Sequence, residues 1–433
     1  MNNKYLRKFS VLILSGFLLA ACGDDDKATE PTPTEIEPEF PTDFSDKSVE
    51  ENKSQLEDNG IALVNSLTDL KSSTGIQTSI AFSKHLEGSE VPNLDGGRVA
   101  NSRAISLLQL LASLGQGKAS PAKVISGMRT AATEFDSFEQ YFNDVAGVYA
   151  YKKSTNTWTY TKTGTKIVFQ FPSTENGTTN NAEYAIYDYK GTKIKSDLGG
   201  DDYTGDYPTA LKADLTVDGT KKMGYTFETA YDSKGTPTSI KMSISLDTYT
   251  LAYALTNTVT DVSIDYSLTQ SSKVLFAFGA RGKGSFTVDG VADVENPEDV
   301  ITDGSAYFQI MNIKFSGEIN AKALATALDA ADTDEEQVAA WNANYKLIVF
   351  YDDTKKKIAG SEFYVSERAD EECHYVDPNH DGQYEYVCED VTRKSLEVRM
   401  VFQDGSKSDL ATYTDVGFGD LEDELNNFVD SLQ

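Results

Sequence analysis

A short segment near the C-terminus of this 433-residue chain combines the residue types that bind a hard cation. Oxygen-bearing side chains stand at alternate positions, where they can converge on a single ion. A glycine follows and permits the sharp turn that such loops need, and the next residue can offer its backbone carbonyl. These residues are Asp377, Asn379, Asp381, Gly382 and Gln383. The spacing predicts a Ca²⁺ site.

This segment resembles the opening of an EF-hand calcium loop, and then departs from that motif. The twelfth position should hold a bidentate glutamate, but here it is Cys388. The flanking residues have the composition of strands, whereas an EF-hand needs helices. We therefore expect a β-hairpin whose tip binds Ca²⁺, with Glu385 or Glu389 as a further ligand. An acidic hairpin tip that holds no ion stays open as the alternative.

The N-terminus resembles that of bacterial lipoproteins. Three basic residues precede an apolar run over 11–21, which is too short for a spanning helix of about 20 residues and has the layout of a secretory signal. The run ends in Leu-Ala-Ala-Cys at 19–22. The resemblance implies that residues 1–21 are a signal peptide and that Cys22 carries the lipid that fixes the protein to a membrane.

An acidic stretch at 23–26 follows Cys22. It resembles the stretch found in surface-exposed lipoproteins of Bacteroidota, which implies an outer-membrane anchor and the cell surface, although a plain solvated spacer is the alternative. Residues 22–47 contain nine acidic groups, four prolines and little apolar surface. Such a segment cannot bury enough surface to fold, so we expect a disordered, extended tether over 22–47.

Two further cysteines, Cys373 and Cys388, lie symmetrically about the predicted hairpin tip. An exported protein meets an oxidising environment, which favours a disulfide between them. Closing so short a loop contributes roughly 3 kcal/mol. Zinc, held by these thiols with His374 and His380, is the alternative, but the spacing departs from that of usual zinc sites.

Composition narrows the function. A formal net charge of −29 disfavours nucleic acid as a partner. The chain has three histidines and neither a G-x-S-x-G nor an H-E-x-x-H motif. The glycine-rich segment 279–285 lacks the spacing of a phosphate loop and predicts a turn. We therefore expect no enzymatic activity, although 68 acidic residues always offer carboxylate pairs for glycoside hydrolysis.

Hydrophobic periodicity divides the mature chain. Apolar residues spaced three and four positions apart predict helices over 48–145. From Gly147 onward, apolar residues at every second position predict antiparallel strands with one buried face. These strands include 211–217, 240–246 and 274–278, and shorter strands are predicted at 347–350, 362–365 and 396–402. Ser48 with Glu51 and Thr333 with Glu336 have the spacing of capping boxes at helix starts, and further helices are predicted from Asn320 to Ala331 and over 421–432. The fold class is α+β, with an N-terminal helical layer packed on a long antiparallel β-meander and a smaller C-terminal α+β portion. The predicted division lies between 48–315 and 316–433, with a single domain over both ranges as the alternative.

We prefer the interpretation that the protein is a non-catalytic lipoprotein with a binding or scaffolding role at the cell envelope. Its partner would be an envelope protein, a glycan or a lipid. One alternative is a carrier of lipid or another apolar ligand in a half-barrel cavity. Others are a glycan-active enzyme with paired carboxylates and a calcium-stiffened adhesive component. An aromatic set could stack on sugars, but filling the sheet core is the commoner use. Its members are Trp158, Tyr160, Tyr187 and Tyr189.

Overall fold

The computed structural model describes residues 38–86, 142–143, 145–196, 203–233, 235–286, 300–376, 385–409 and 423. The predicted signal peptide, Cys22 and the helices expected at 105–139 and 421–432 lie outside these residues. The chain forms two compact units. The first contains 63–296 and the second contains 37–62 together with the chain from 297 onward. The sequence placed this division at 316, and the structure has it at Pro297.

Within the described chain, two helices precede the strands, in the range where the sequence predicted helices. Helix α1 spans Val49–Lys71 and helix α2 spans Thr74–Leu86. Ser48 and Glu51 form the predicted capping box, because each residue's backbone N–H donates to the other's side chain, at 2.7 and 3.2 Å. The division between the units falls inside α1, after Ala62.

Ten strands follow in the first unit. Each pairs antiparallel with its neighbours in the order β10-β9-β8-β7-β6-β5-β4-β3-β1-β2, except that β1 and β3 are parallel. Their bounds are β1 Gly147–Lys152, β2 Thr157–Thr161, β3 Ile167–Phe171, β4 Ala182–Ser196, β5 Tyr203–Val217, β6 Thr220–Tyr231, β7 Pro237–Leu246, β8 Tyr249–Asn257, β9 Asp261–Gln270 and β10 Lys273–Gly284. Asp218 and Gly219, both at positive φ, form the β5–β6 turn.

The core of the first unit is aromatic. Phe82 of α2 packs against four rings of the sheet, with centroids 4.7–6.3 Å away. These are Trp158, Phe169, Phe171 and Tyr184. His85, one helical turn after Phe82, is buried and bonds the carbonyls of Pro172 and Thr174. Burial holds the pKa of His85 below its ordinary value.

The predicted buried face is right in β5 and β7 and wrong in β10. Apolar residues alternate with polar ones in β5 and β7, and all the apolar positions predicted there are buried. In β10, however, Leu275 and Ala277 are fully buried, whereas Phe276 is half-buried. A register shift lies between Val274 and Phe276. The predicted turn at 279–285 is also wrong up to Gly284, since β10 continues to that residue.

In the described part of the second unit, six strands and two further helices follow the start of α1. The strands pair antiparallel in the order β16-β15-β14-β13-β12-β11. Their bounds are β11 Ile301–Ile310, β12 Ile313–Ile319, β13 Tyr345–Tyr351, β14 Lys356–Val376, β15 Glu385–Val401 and β16 Lys407–Asp409, and the helices are α3 Ala321–Asp329 and α4 Asp334–Asn344.

Both helices of the second unit begin where the sequence predicted. Asn320 caps α3, and Thr333 with Glu336 forms a capping box on α4. A hydrophobic core joins β12 to β15 and includes Ile313, Val349 and Ile358, with Leu56 of α1 packed against it. The described chain is therefore consistent with the α+β class, with N-terminal helices before a long meander, but it is mostly β.

A candidate interaction arm and an N-terminal strap

Strands β14 and β15 form a hairpin that is much longer than its neighbours. They pair in register from Gly360 opposite Val401 to Val376 opposite Glu385. Strand β13 pairs with β14 only as far as Gly360, and β16 pairs with β15 only over 399–401. Within the described chain, 364–376 and 385–398 therefore form a two-stranded ribbon with open outer edges, which we call the arm.

Helix α4 fixes the base of the arm. The side-chain amide of Asn342 accepts from the backbone N–H of Phe363 at 2.7 Å and donates to its carbonyl at 3.0 Å. The amide thus supplies hydrogen bonds to the β14 backbone beyond Gly360, where β13 no longer pairs with it. The rings of Trp341 and Phe363 lie 4.9 Å apart. Helix α4 thus orients the arm through the hydrogen bonds of Asn342 and the ring contact of Trp341, both with Phe363.

A disulfide closes the far end of the arm. Cys373 and Cys388 lie directly opposite each other, with their Sγ atoms 2.09 Å apart, as the sequence predicted. The carboxylate of Glu371 lies within 4.8 Å of both sulfurs. Because the sulfurs are bonded to each other, they are not the thiolates that zinc would need. The staple matters here, since an isolated two-stranded hairpin is marginally stable in water.

Two tyrosines stand next to the disulfide on the same face. Tyr375 and Tyr386 are register partners, and their ring centroids are 5.0 Å apart. They are 69% and 62% exposed. Among the described residues, the exposed large hydrophobic side chains are these two, Leu396 and Val398 of the arm, and Val259 of the first unit. Apolar exposure is therefore concentrated on the arm.

The arm also pairs like charges. Glu371 faces Asp390, and Glu372 faces Glu389 on the next rung. Like charges directly opposite each other destabilise a sheet. The sequence from 370 to 390 contains eight acidic residues and no lysine or arginine. A local conflict of this kind is expected where a surface serves a function other than folding.

The predicted calcium ligands meet the described structure at two positions, Glu385 and Glu389, of which Glu389 faces Glu372. Asp377, Asn379, Asp381 and Gln383 lie outside the described residues. Glu385 is the first residue of β15, opposite Val376. The flanks of the loop are therefore strands, as the sequence predicted.

The second notable feature of this unit is a segment in the last part of the predicted tether. Residues 39–45, which we call the strap, run beside the start of β14. Phe44 forms a parallel bridge with Lys357. The backbone N–H of Ser45 donates to the Lys357 carbonyl at 2.8 Å, and the backbone N–H of Lys357 donates to the Asp43 carbonyl at 2.7 Å. The described structure thus extends to residue 38, inside the range expected to be disordered.

Lysines match the acidic side chains of the strap. Glu39 lies 2.9 Å from the ammonium of Lys355 and 3.7 Å from that of Lys314. Asp43 lies 3.6 Å from Lys356. Each acidic side chain of the strap therefore has at least one ammonium group within ion-pair distance.

The aromatic side chains of the strap meet lysines as well. The ammonium of Lys346 lies 4.4 Å from the centroid of the Phe40 ring, and that of Lys357 lies 3.9 Å from the centroid of Phe44. These are cation–π contacts. Burial, followed by repulsion from Lys346, lowers the pKa of Lys357. Ion pairs and cation–π contacts together hold the strap.

Lys314 is the deepest of these cations. Its side chain is 0% exposed, and its ammonium lies 4.8 Å from the centroid of Tyr307. Burial lowers the pKa of Lys314, and the negative charge of Glu39 opposes that change. Lys355 is less buried, and hydrogen bonds with Asp352 and Glu39 outweigh its desolvation and raise its pKa. The carboxylate of Glu39 thus favours the charged form of both lysines.

Strap and arm lie at opposite ends of one strand. Lys357 is the second residue of β14, and Tyr375 is its penultimate residue. At about 3.3 Å per residue, the strand between them spans up to about 60 Å. The tyrosine pair is therefore remote from the point where the N-terminal segment joins the second unit.

The aromatic set suggested for sugar stacking lies in the sheet of the first unit. Trp158 is buried beside Phe82. Tyr160 donates to the Ala146 carbonyl at 2.8 Å, and Tyr187 donates to Asp214 at 2.8 Å. The ring of Tyr189 stacks on Phe142. These four side chains serve packing, as the sequence favoured.

Sequence reasoning predicted the disulfide-closed hairpin but missed its exposed tyrosine pair and the strap. Tyr375 and Tyr386 are as symmetric about the hairpin tip as the two cysteines, and this signal could have identified the pair. The strap left no such signal, because its lysine partners are some 300 residues away in the chain.

Comparisons with known proteins give no information on function, so the proposed function is based on the fold and the arm. Neither the family models, nor the curated proteins, nor the solved structures give a match to this chain. No helix among the described residues is both long and apolar enough to cross a bilayer.

Proposed function

We propose that this protein is a lipid-anchored component of the outer membrane, exposed at the cell surface, which acts by binding a partner and carries no catalytic function. The arm is its binding element. The single observation that carries this proposal is the exposed pair Tyr375 and Tyr386 on a disulfide-closed ribbon with open edges. Solvent-exposed apolar groups concentrated at one place are typical of interaction sites.

The position of the strap supports this role. If Cys22 carries a lipid, the membrane attachment reaches the second unit through the strap, at the start of β14. The arm occupies the other end of the same strand. The tyrosine pair is thus held away from the attachment point, where a partner can reach it.

Site-specific photo-crosslinking in intact cells tests the binding role. A photoreactive residue replaces Tyr386 in the full-length protein, and the matched control replaces Val259, the exposed apolar residue of the first unit. We expect a discrete crosslinked product from position 386 and none from 259. The absence of a product at 386, or the same products from both positions, would contradict the proposal.

The anchor has its own test. Replacing Cys22 by alanine removes the sulfur that the lipid requires, so we expect Cys22→Ala to move the protein from the membrane fraction to the soluble fraction. Unchanged membrane association would contradict a lipid anchor while leaving the binding role of the arm intact.

Calcium at the arm tip is a separate proposal, made from the alternate oxygen ligands at 377, 379 and 381. Val376 pairs with Glu385, which is the register that a hairpin enclosing these residues needs. Calorimetric titration with CaCl₂ should give one binding event in the wild type and none in Asp377→Asn/Asp381→Asn. Absence of binding to the wild type would contradict the calcium site.

A further inference from the structure

The geometry of the distal arm, residues 370–376 and 385–390, points to the chemistry of its partner. We propose that the distal arm binds a basic, extended polypeptide segment of another protein. This inference rests on the proposed binding role and goes further by naming the occupant.

One face of the distal arm carries three successive rungs of distinct chemistry. The tyrosine pair comes first, the disulfide second, and the carboxylates of Glu371 and Asp390 third. Alternate residues of a strand share a face, so consecutive rungs stand about 7 Å apart. A lysine or arginine finds ring faces at one end of this surface and carboxylates at the other, both of which attract a cation.

The negative charge of the distal arm has no basic residue of its own segment to offset it. The sequence from 370 to 390 holds eight acidic residues and no lysine or arginine. The nearest basic residues outside it are Arg368 and Arg393, which are register partners two rungs before Asp370, and Lys394 beside them lies 3.1 Å from Asp334 of α4. A partner that complements the distal arm must therefore bring the positive charge itself.

The strap shows the same chemistry with its partner in place. It too combines carboxylates with aromatic rings, and lysines cover both: Lys355 pairs with Glu39, and Lys357 lies over Phe44. In addition, the strap lies as an extended chain against a strand. The chain itself thus demonstrates how lysines and an acidic, aromatic segment bind each other in an extended geometry.

The open edges of the arm favour a polypeptide over a small cation. From Tyr364 to Val376, no described strand pairs with the outer edge of β14, so its backbone donors and acceptors can receive an added strand. On such a strand, side chains two residues apart lie about 7 Å apart, which matches the spacing of the rungs. Main-chain hydrogen bonds then hold the segment, and basic side chains give it specificity.

Fluorescence anisotropy on the full-length protein in mild detergent tests this inference. The probe is a labelled decapeptide of alternating lysine and valine, and the control peptide replaces lysine by glutamate. We expect saturable binding of the lysine probe only, weakened by raising NaCl from 50 to 500 mM because salt screens exposed charges.

Two variants assign the binding to the proposed face. We expect Tyr375→Leu/Tyr386→Leu and Glu371→Gln/Asp390→Asn each to weaken probe binding about fivefold to tenfold. Asp329→Asn/Glu335→Gln makes the same charge change on α3 and α4 and should leave binding unchanged. The two-hydrogen mass deficit of the disulfide verifies that each variant keeps the hairpin register.

The outcomes separate this inference from the proposed function. No binding of the lysine probe, or equal binding by all variants, would overturn the basic partner. If a crosslinked product at position 386 persisted in cells in that case, the arm would still be a binding element for a partner of different chemistry. Loss of both signals would contradict both proposals.

Discussion

The strap and the distal arm have the same residue chemistry and opposite surroundings. Both combine carboxylates with aromatic rings on an extended backbone. Lysines cover the strap, and one of them, Lys314, is fully buried beneath it. The distal arm has like charges on facing strands and tyrosines that are more than 60% exposed.

This difference shows that composition alone does not decide what an acidic, aromatic segment does. The strap contributes to the stability of the second unit, because its charges and rings have partners within that unit. No described side chain of the distal arm is fully buried, and a disulfide offsets the repulsion between its like charges. Four predictions test this contrast.

Removing aromatic rings should separate the two regions most strongly. Phe40→Ala/Phe44→Ala removes two half-buried rings, and we expect a loss of about 3–5 kcal/mol in the free energy of unfolding, about half the cost for fully buried rings. Tyr375→Ala/Tyr386→Ala should cost less than about 0.5 kcal/mol, as exposed substitutions do. Urea unfolding measures both. Similar losses in the two variants would contradict the contrast.

The disulfide should matter for the arm and not for the strap. Cys373→Ser/Cys388→Ser removes a constraint worth roughly 3 kcal/mol, and a two-stranded ribbon without it is marginal. We expect backbone amides of the distal arm to exchange hydrogen more than tenfold faster, while those of Ser45 and Lys357 keep their rates. Hydrogen exchange with mass spectrometry makes the comparison. Faster exchange at the strap would show that the two ends of β14 unfold together.

Sequence patterns predicted this fold best where apolar residues are confined to one face of a strand or where a helix has a capping pattern. In β5 and β7, period-two alternation identified the buried residues, and capping patterns located the starts of α1, α3 and α4. In β10, apolar residues occupy both faces, so alternation could not tell that Leu275 is buried more deeply than Phe276. A residue pattern indicates burial only when the two faces differ.

The sequence did not predict the full length of the arm or the order of the strap, for different physical reasons. The sequence predicted strands up to Val365 and again beside the hairpin tip, but β14 is continuous to Val376, because a ribbon without a buried face shows no alternation between them. Proline and charge predicted disorder up to residue 47, but the cations that order the strap, such as Lys314 and Lys355, come from distant parts of the chain. The composition of a segment does not show which distant residues will pack against it.

One charge reversal should stabilise the arm and impair its binding. Glu389→Lys turns the like-charged rung with Glu372 into an oppositely charged one, which we expect to stabilise the arm by about 0.5 kcal/mol. The same change lowers the negative charge of the distal arm, so the lysine–valine peptide should bind more weakly. Hydrogen exchange and anisotropy measure the two effects. Tighter peptide binding by the more stable arm would contradict the charge argument.

Salt should act on the two regions in opposite directions, by a few tenths of a kcal/mol. Raising NaCl from 50 to 500 mM screens the ion pairs of Glu39 and Asp43 and so weakens the strap. It also screens the repulsion between Glu372 and Glu389 and so strengthens the arm. Amide exchange rates in the two segments, measured at both salt concentrations, report each change. A shift of both segments in the same direction would count against this explanation.

The most direct test of the contrast is hydrogen exchange of the full-length protein with and without the lysine–valine peptide. If lysines of the chain already match the carboxylates and rings of the strap, and the distal arm awaits a basic partner, the peptide should slow exchange in 370–376 and 385–390. The amides of Ser45 and Lys357 should keep their rates. Protection at the strap, or no protection in the arm, would contradict the assignment of the arm as the surface that binds a partner.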